Sequence, residues 1–252
     1  MINKELNYMK YNDAYKSGVN EIGAKAYSIA KLSEYNIDVP KGIVLPKQIW
    51  KHYEKTRNKD FLRKIIKDVS NYINVKKYVV RSSSIGEDSN DFSWAGCFES
   101  ILDIDKTQLE DAIIECGESL NNKRVQAYQK LHNNINKIEY IAILIQEYID
   151  ADWNGVCFSS NPVTGNEEEF IIEYQKGKSG SVVGGYGEPI TLIIDKNNKE
   201  VGEENDMPNN FINEIFEKVK EIYNIWKVPV DVEWVIKDKK LYITQTRPIT
   251  TI

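Results

Sequence analysis

Near residue 140 the patterning of this 252-residue chain switches from helical to extended, and that switch restricts the folds open to it. Before it, Asn20 to Tyr35 carries Ile22, Ala26, Ile29, Ala30 and Ser33 on one stripe, with Asn20 as an N-cap candidate. Lys47 to Asn58 and Lys59 to Tyr72 read as further helices, and Leu109 to Asn133 is mostly helical. The strands here are short: Ile43-Val-Leu, and Lys77-Tyr-Val-Val-Arg-Ser-Ser opening into a small-residue loop. After Glu139, extended segments at Tyr140 to Tyr148, Gly155 to Ser159, Phe170 to Tyr174 and Thr191 to Asp195 are separated by glycine-rich turns. A last helix near Asn209 to Trp226 precedes a hairpin. Helices and strands segregated in this way predict an α+β body with two lobes and a cleft between them. The expected boundary gives an N-terminal lobe of residues 1–145 and a C-terminal lobe of 146–252.

Bulk properties remove several function classes. A formal charge of -5 provides no basic field for a nucleic-acid backbone, so nucleic acid is not expected as a partner. The N-terminus lacks an apolar signal core, and the most apolar run, Ile141 to Ile145, is far too short to span a bilayer. The expectation is a cytoplasmic protein without membrane contact. Cys97, Cys116 and Cys157 are odd in number and widely separated, which argues against a disulfide framework or a structural zinc and for reduced thiols in or near the core. His52 and His132 lie in no ligand spacing and near no nucleophile, so Ser-His or Cys-His catalysis has nothing to use. Each is expected on the surface or at a helix end.

The hairpin Val230 to Thr250 concentrates acid, amide and guanidinium groups. Side-chain alternation puts Asp231 and Glu233 on one side and Val232, Trp234 and Ile236 on the other, while Gln245 and Arg247 share a side of the return strand. Whether the two polar sets meet depends on the turn. A two-residue loop at Asp238-Lys239 sets Glu233 opposite Thr244, whereas a three-residue loop or a bulge sets it opposite Gln245 and Asp231 opposite Arg247. The second register builds a metal and triphosphate site; the first leaves an ordinary solvated sheet face.

Four other segments carry similar pairs of readings. Arg81-Ser-Ser-Ser-Ile-Gly-Glu-Asp is either a loop closing over phosphates or a polar loop with Arg81 paired to Glu87 or Asp88. Gly23-Ala-Lys25 lies near a helix start, where Lys25 either holds an anion beside unpaired amides or is merely solvated. Gln146-Glu147-Tyr148 ends an apolar strand whose backbone groups either read an adenine edge or simply complete a buried strand. Gly177-Lys-Ser-Gly is no Walker A loop, since position 172 is Ile172 instead of glycine, and what remains is a glycine-rich loop from Gly177 to Gly187.

In order along the chain, these segments resemble the nucleotide-binding domain of the phosphoenolpyruvate synthase and pyruvate phosphate dikinase family, an ATP-grasp fold. Gly23-Ala-Lys-Ala-Tyr and Val39-Pro-Lys-Gly-Ile-Val are similar to its opening helix and strand, and Arg81-Ser-Ser through Glu87-Asp88 and Ser93-Trp-Ala-Gly to its central signature. Gly155-Val-Cys-Phe-Ser-Ser-Asn-Pro-Val-Thr-Gly165 resembles its Asn-Pro-x-Thr-Gly strand pair, and Asp231-Val-Glu-Trp with Gln245-Thr-Arg-Pro its closing motif. The resemblance implies that Lys25 and Arg81 bind and neutralise the phosphates of ATP, that Glu233 and Gln245 hold Mg²⁺, and that Asp231 and Arg247 complete the charged cluster. Lys25, Arg81 and Arg247 would act in catalysis, and Gln146, Glu147 and Tyr148 would contact adenine.

Departures from the family pattern sharpen this expectation. Ala24 replaces a glycine, and Gly180 stands where the family has a glutamate, so a metal or phosphate contact is either missing or supplied elsewhere, for example by Glu173 or Glu188. The family's phosphohistidine domain and substrate barrel have no counterpart in the chain. The function expected is a phosphotransferase module that binds Mg-ATP and transfers phosphate to a histidine on a separate chain or domain, with the final small-molecule acceptor unknown. A stand-alone kinase of a small molecule and a non-catalytic ATP-binding interaction module are the alternatives.

Overall fold

The computed structural model describes residues 7–85, 88–89, 92–93, 100–122, 125, 141–177, 189–197, 200–201 and 206–249. The chain divides into two compact units, Met1–Asn36 with Pro40–Tyr148, and Ile37–Val39 with Ile149–Ile252. The change of unit falls after Tyr148 rather than after residue 145. The Glu147 and Tyr148 amides donate to Lys41 O (2.7 Å) and Lys77 O (3.0 Å), which ties the segment to the first unit.

The first unit is built on an antiparallel sheet of β1 (Met9–Lys10), β2 (Gly42–Leu45), β3 (Tyr78–Ser83), β6 (Ser100–Ile104) and β7 (Ala142–Glu147), in the order β1-β2-β7-β3-β6. A short pair, β4 (Asp88–Ser89) and β5 (Phe92–Ser93), stands apart from it. Five helices accompany the sheet: α1 (Tyr11–Ser17), α2 (Val19–Glu34), α3 (Lys47–Thr56), α4 (Lys59–Ile73) and α5 (Leu109–Glu118). The run Ile141 to Ile145 is apolar throughout because β7 is central and covered on both faces. Ile143 and Ile145 enter a core with Trp50, Leu62, Val69 and Ile113, and alternation sends Leu144 and Gln146 to the other face, where α2 packs. Helix α4 starts where its sequence says, with the Asn58 side chain accepting the Phe61 N–H, a standard N-cap.

One helix expectation needs correction. Asn20 is not the N-cap of α2: Gly18 precedes the helix, Asn20 lies inside it, and Gly23 (φ 76°, ψ 168°) interrupts it. Helix α5 runs to Glu118 and continues as a 3₁₀ turn, Ser119–Asn121, and Val125 is again helical. The rest of the stretch expected to be mostly helical up to Asn133 falls in residues 123–124 and 126–140, which lie outside the described residues.

The second unit is a six-stranded antiparallel sheet in the order β11-β10-β9-β8-β12-β13. Its strands are β8 (Trp153–Phe158), β9 (Glu169–Lys176), β10 (Ile190–Asp195), β11 (Glu200–Val201), β12 (Val230–Lys237) and β13 (Lys240–Pro248). Helix α6 (Asn209–Trp226) buries Phe211, Ile215, Phe216, Val219 and Ile222 against one face, with Phe170 and Phe216 ring centroids 4.8 Å apart. On β12, Val232, Trp234 and Ile236 are buried on that side, with Trp234 only 1% exposed. Gly155 lies under the Trp234 ring, and a Cβ there would collide with it and with the Glu173 carbonyl. In the β8–β9 turn, Asn161 Oδ1 accepts the Val163 and Thr164 N–H groups (3.0 and 3.1 Å), so the Asn-Pro-Val-Thr-Gly segment is an Asx-type turn.

Cys116 and Cys157 are buried free thiols, and the His52 ring packs on Phe61 at 4.5 Å. Cys97 and His132 lie outside the described residues. No helix among the described residues is long and apolar enough to cross a membrane.

Candidate functional site

The hairpin meets its condition by a bulge. The loop is the two-residue Asp238-Lys239, both with positive φ (49° and 64°), as a type I′ turn requires. Pairing then runs Lys237↔Lys240 through Trp234↔Ile243, skips Thr244, and resumes at Glu233↔Gln245 and Asp231↔Arg247. The skipped residue inverts the parity of β13: Leu241 and Ile243 face the α6 core, whereas Gln245 and Arg247 join Asp231 and Glu233 on the opposite face.

Strand order widens this face. Val156 of β8 pairs with Glu233 on one side and Glu173 of β9 on the other, so Glu173, Val156, Glu233 and Gln245 form one transverse row. The adjacent row is Ile171, Phe158, Asp231 and Arg247. Arg247 donates from Nε and its terminal nitrogen to the same oxygen, Asp231 Oδ2, both at 2.8 Å. Asp231 is 7% exposed, and its other oxygen, Oδ1, is buried without a hydrogen-bond partner. Burial raises the Asp231 pKa above the ordinary carboxylate value; Arg247 opposes the shift, and the charges of Glu233 and Glu173 add to it. Among the described residues these two rows therefore hold three carboxylates and one guanidinium, and the guanidinium is engaged with Asp231.

The donor set suits a hard cation that takes only part of its shell from protein. Glu233 and Gln245 present oxygen donors from directly opposed positions, and Mg²⁺ takes one or two protein oxygens, completing its shell with phosphate and water. Among the described residues no group of three or more His, Cys, Asp or Glu side chains forms a ready-made metal cage, which is unlike a structural zinc centre.

The first unit brings Lys25 and Arg81 onto neighbouring elements. Helix α2 resumes at Ala24 beyond the Gly23 break, and this start docks on the end of β3: Ala24 N–H donates to Ser84 O (2.8 Å) and Ala26 N–H to Ser83 Oγ (3.0 Å). The hydroxyls expected to close over phosphates are thus buried in a joint, with Ser82 and Ser83 fully inaccessible. Two first-turn amides expected to receive an anion already have partners. Lys25 remains in that first turn, 6% exposed. Arg81 is half-buried on β3; Glu87 and Gly180 lie outside the described residues, as do the side chain of Asp88 and residues 178–188 of the glycine-rich loop.

The adenine expectation is narrowed. Gln146 is 3% exposed and its amide donates to Tyr11 Oη (3.2 Å), which donates in turn to Pro40 O (3.1 Å). Burial pushes the Tyr11 phenol far above its ordinary pKa, which keeps it a donor. The side chain of Gln146 is therefore internal, and the Glu147 and Tyr148 N–H groups are committed to Lys41 and Lys77. Sequence reasoning missed Tyr11, whose partner is distant in sequence, read Ser83 as part of a phosphate loop rather than as a helix cap, and treated Glu173 only as a substitute for the family glutamate.

Residues 56–211 match the family model described as "Pyruvate phosphate dikinase, AMP/ATP-binding domain". A Bacillus subtilis (strain 168) protein described as "Uncharacterized phosphotransferase YvkC" is 29% identical across 91% of this chain and 33% of its own length. A "Probable phosphoenolpyruvate synthase" from Methanothermobacter thermautotrophicus is 31% identical across 69% of this chain and 29% of its own. The chain thus spans about a third of the length of the curated relatives it matches. Among solved structures, D-alanyl-alanine synthetase A from Vibrio cholerae aligns with 90% of this chain and 57% of its own at 10% identity, with a TM-score of 0.48.

Proposed function

Because this chain belongs to the pyruvate phosphate dikinase AMP/ATP-binding domain family, we propose that it is an ATP-dependent phosphotransferase module that takes Mg-ATP and passes phosphate to a histidine carried on a separate chain or domain. Its α+β architecture, two units each built on an antiparallel sheet, is of the ATP-grasp type. The observation that carries the reading is the bulge at Thr244, which puts Glu233 opposite Gln245 and Asp231 opposite Arg247 on the face that α6 leaves uncovered.

In this reading Glu233 and Gln245 hold Mg²⁺, which neutralises phosphate oxygens when bound. Asp231 holds the Arg247 guanidinium in place, and Arg247 offsets charge developing on the transferred phosphate. Lys25 and Arg81 bind and neutralise the remaining phosphate oxygens. Glu147 and Tyr148 border the base, while Gln146 supports that strand end from inside through Tyr11. Phosphoryl transfer is catalysed chiefly by positioning and by charge stabilisation, and these residue types supply both.

The test is to incubate the purified chain with labelled ATP, Mg²⁺ and a histidine-carrier protein. Label on the carrier's histidine is the expected result. Label on a small molecule alone would make the chain a stand-alone kinase, and binding without turnover across a set of carriers would make it an ATP-binding interaction module; either overturns the proposal. Glu233→Ala and Gln245→Ala should each abolish Mg²⁺-dependent turnover with little loss of fold, and Lys25→Ala should weaken ATP binding. Full activity in Glu233→Ala removes the metal assignment.

A further inference from the structure

One carboxylate on the acidic face has no role in the reading above. Glu173 is half-buried on β9 and makes no hydrogen bond or ion pair among the described residues. Half-buried carboxylates ordinarily acquire partners, because removal from water penalises the charged form. Glu173 instead sits in the row that continues through Val156 to Glu233 and Gln245. Strands are about 4.8 Å apart, so Glu173 and Glu233 flank the Val156 side chain at roughly 10 Å between Cα atoms, a span that two glutamate side chains reaching over a valine can share around a cation and its water. An independent observation points the same way: Asp231, one row away and 7% exposed, carries a buried oxygen, Oδ1, with no donor to satisfy it. Among the described residues these two rows carry three carboxylates and one guanidinium, which is engaged with Asp231, and a cation held by the row offsets carboxylate charge as an anionic nucleotide approaches.

We propose that Glu173 is a further positioning residue for the divalent cation, completing its surroundings from the β9 side opposite Gln245. The inference rests on the Mg²⁺ reading of Glu233 and Gln245 and goes beyond it by adding a residue from outside the hairpin. Glu173 acts by charge on the hydrated cation, so its removal changes the Mg²⁺ requirement of nucleotide binding while leaving metal-free nucleotide binding intact or stronger.

The experiment uses the full chain and measures ATP affinity by calorimetry across a Mg²⁺ titration, for the wild type and for Glu173→Gln, Glu173→Asp and Glu233→Gln. Loss of an outer partner of a metal ligand typically costs about 10- to 100-fold in metal affinity. Glu173→Gln should therefore raise the Mg²⁺ concentration for half-maximal effect by about tenfold, and Glu173→Asp, which keeps the charge, by less. ATP affinity without Mg²⁺ should hold or improve in Glu173→Gln because a repulsive charge is gone, a result that a merely structural role does not produce. An unchanged Mg²⁺ requirement in Glu173→Gln with a raised one in Glu233→Gln overturns this inference alone. Unchanged requirements in both overturn the metal reading of the face and this inference with it. If Glu173→Gln does not fold, Glu173→Asp decides: a raised requirement supports the role, and an unchanged one overturns it.

Discussion

Two glycines of the first unit share one backbone conformation and differ in surroundings, which isolates the joint that carries Lys25. Gly18 has φ 83° and ψ 163°, and Gly23 has φ 76° and ψ 168°, a region essentially closed to other residues. Replacing either by alanine incurs a backbone cost of about 1–3 kcal/mol. A Cβ on Gly18 meets nothing within 4 Å, whereas a Cβ on Gly23 comes closer than 3.0 Å to Ser83 C, O and Oγ. Backbone atoms cannot step aside as a flexible side chain can, so the helix start must move or β3 must bend. Such overpacking adds about 1–3 kcal/mol. Gly23→Ala should therefore lose about 2–6 kcal/mol in total, against about 1–3 for Gly18→Ala. Urea denaturation of both variants, followed by circular dichroism, measures the difference, and the shared backbone term cancels. The displacement should also weaken ATP binding in Gly23→Ala alone, because the helix start that moves is the one bearing Lys25. A difference within about 0.5 kcal/mol, the usual scatter of a harmless substitution, would refute the reasoning. It would mean that the contact with Ser83 yields freely and does not fix the helix.

Further outcomes follow from the charged groups. Arg247→Ala leaves Asp231 buried without its cation and should destabilise by about 3 kcal/mol. The Asp231 pKa is already raised in the folded protein, so its contribution is fullest below the unfolded value and is lost as pH rises through the folded one. The variant extends that window upward. Its loss of stability should be larger at pH 8 than at pH 5, and Asp231→Asn added to Arg247→Ala should recover most of it; equal losses at both pH values would contradict this. On the first unit, Glu110 of α5 accepts from Arg63 Nε at 2.7 Å and lies 3.7 Å from Lys59, both on α4. The Arg63 hydrogen bond holds its carboxyl below the ordinary value, so the stability it lends is present above the unfolded pKa and lost as pH falls through the depressed one. Glu110→Gln should flatten the acid limb of the stability curve below about pH 4.3, and superimposable curves would show that the pair contributes nothing.

What could be read from the sequence was what neighbours in sequence decide. Helix α6 runs Asn209–Trp226, as its apolar spacing and flanking Pro208 and Lys227 require, and the Asn58 cap stops one helix from running into the next. The bulge was only one of two registers open to the sequence. Leu241 and Ile243 are apolar, but the third buried core-side position is Thr246, the same residue type as the skipped Thr244, so composition does not mark where the extra residue sits. Contacts between distant segments left no trace either. Ser83 Oγ accepts the N–H of Ala26, 57 residues earlier, in the first turn after the Gly23 break, and nothing in a run of three serines distinguishes such a cap from a phosphate loop. The Gln146 amide finds Tyr11 across 135 residues, so an apparently exposed polar step at a strand end is an internal hydrogen bond. Glu173 became part of the face only once β8 was known to lie between β9 and β12.

The skipped residue at Thr244 divides the hairpin into two parts with separate length rules. Distal to it, the strands close on Asp238-Lys239; proximal to it, the same strands carry Asp231, Glu233, Gln245 and Arg247. Adding or removing residues in pairs at the tip preserves the inward side of both parts. A single-residue change at the tip inverts the distal half alone, provided the extra residue stays where it is. Loop variation among relatives can therefore reshape the tip without moving the polar face, and one threonine position is where that freedom ends.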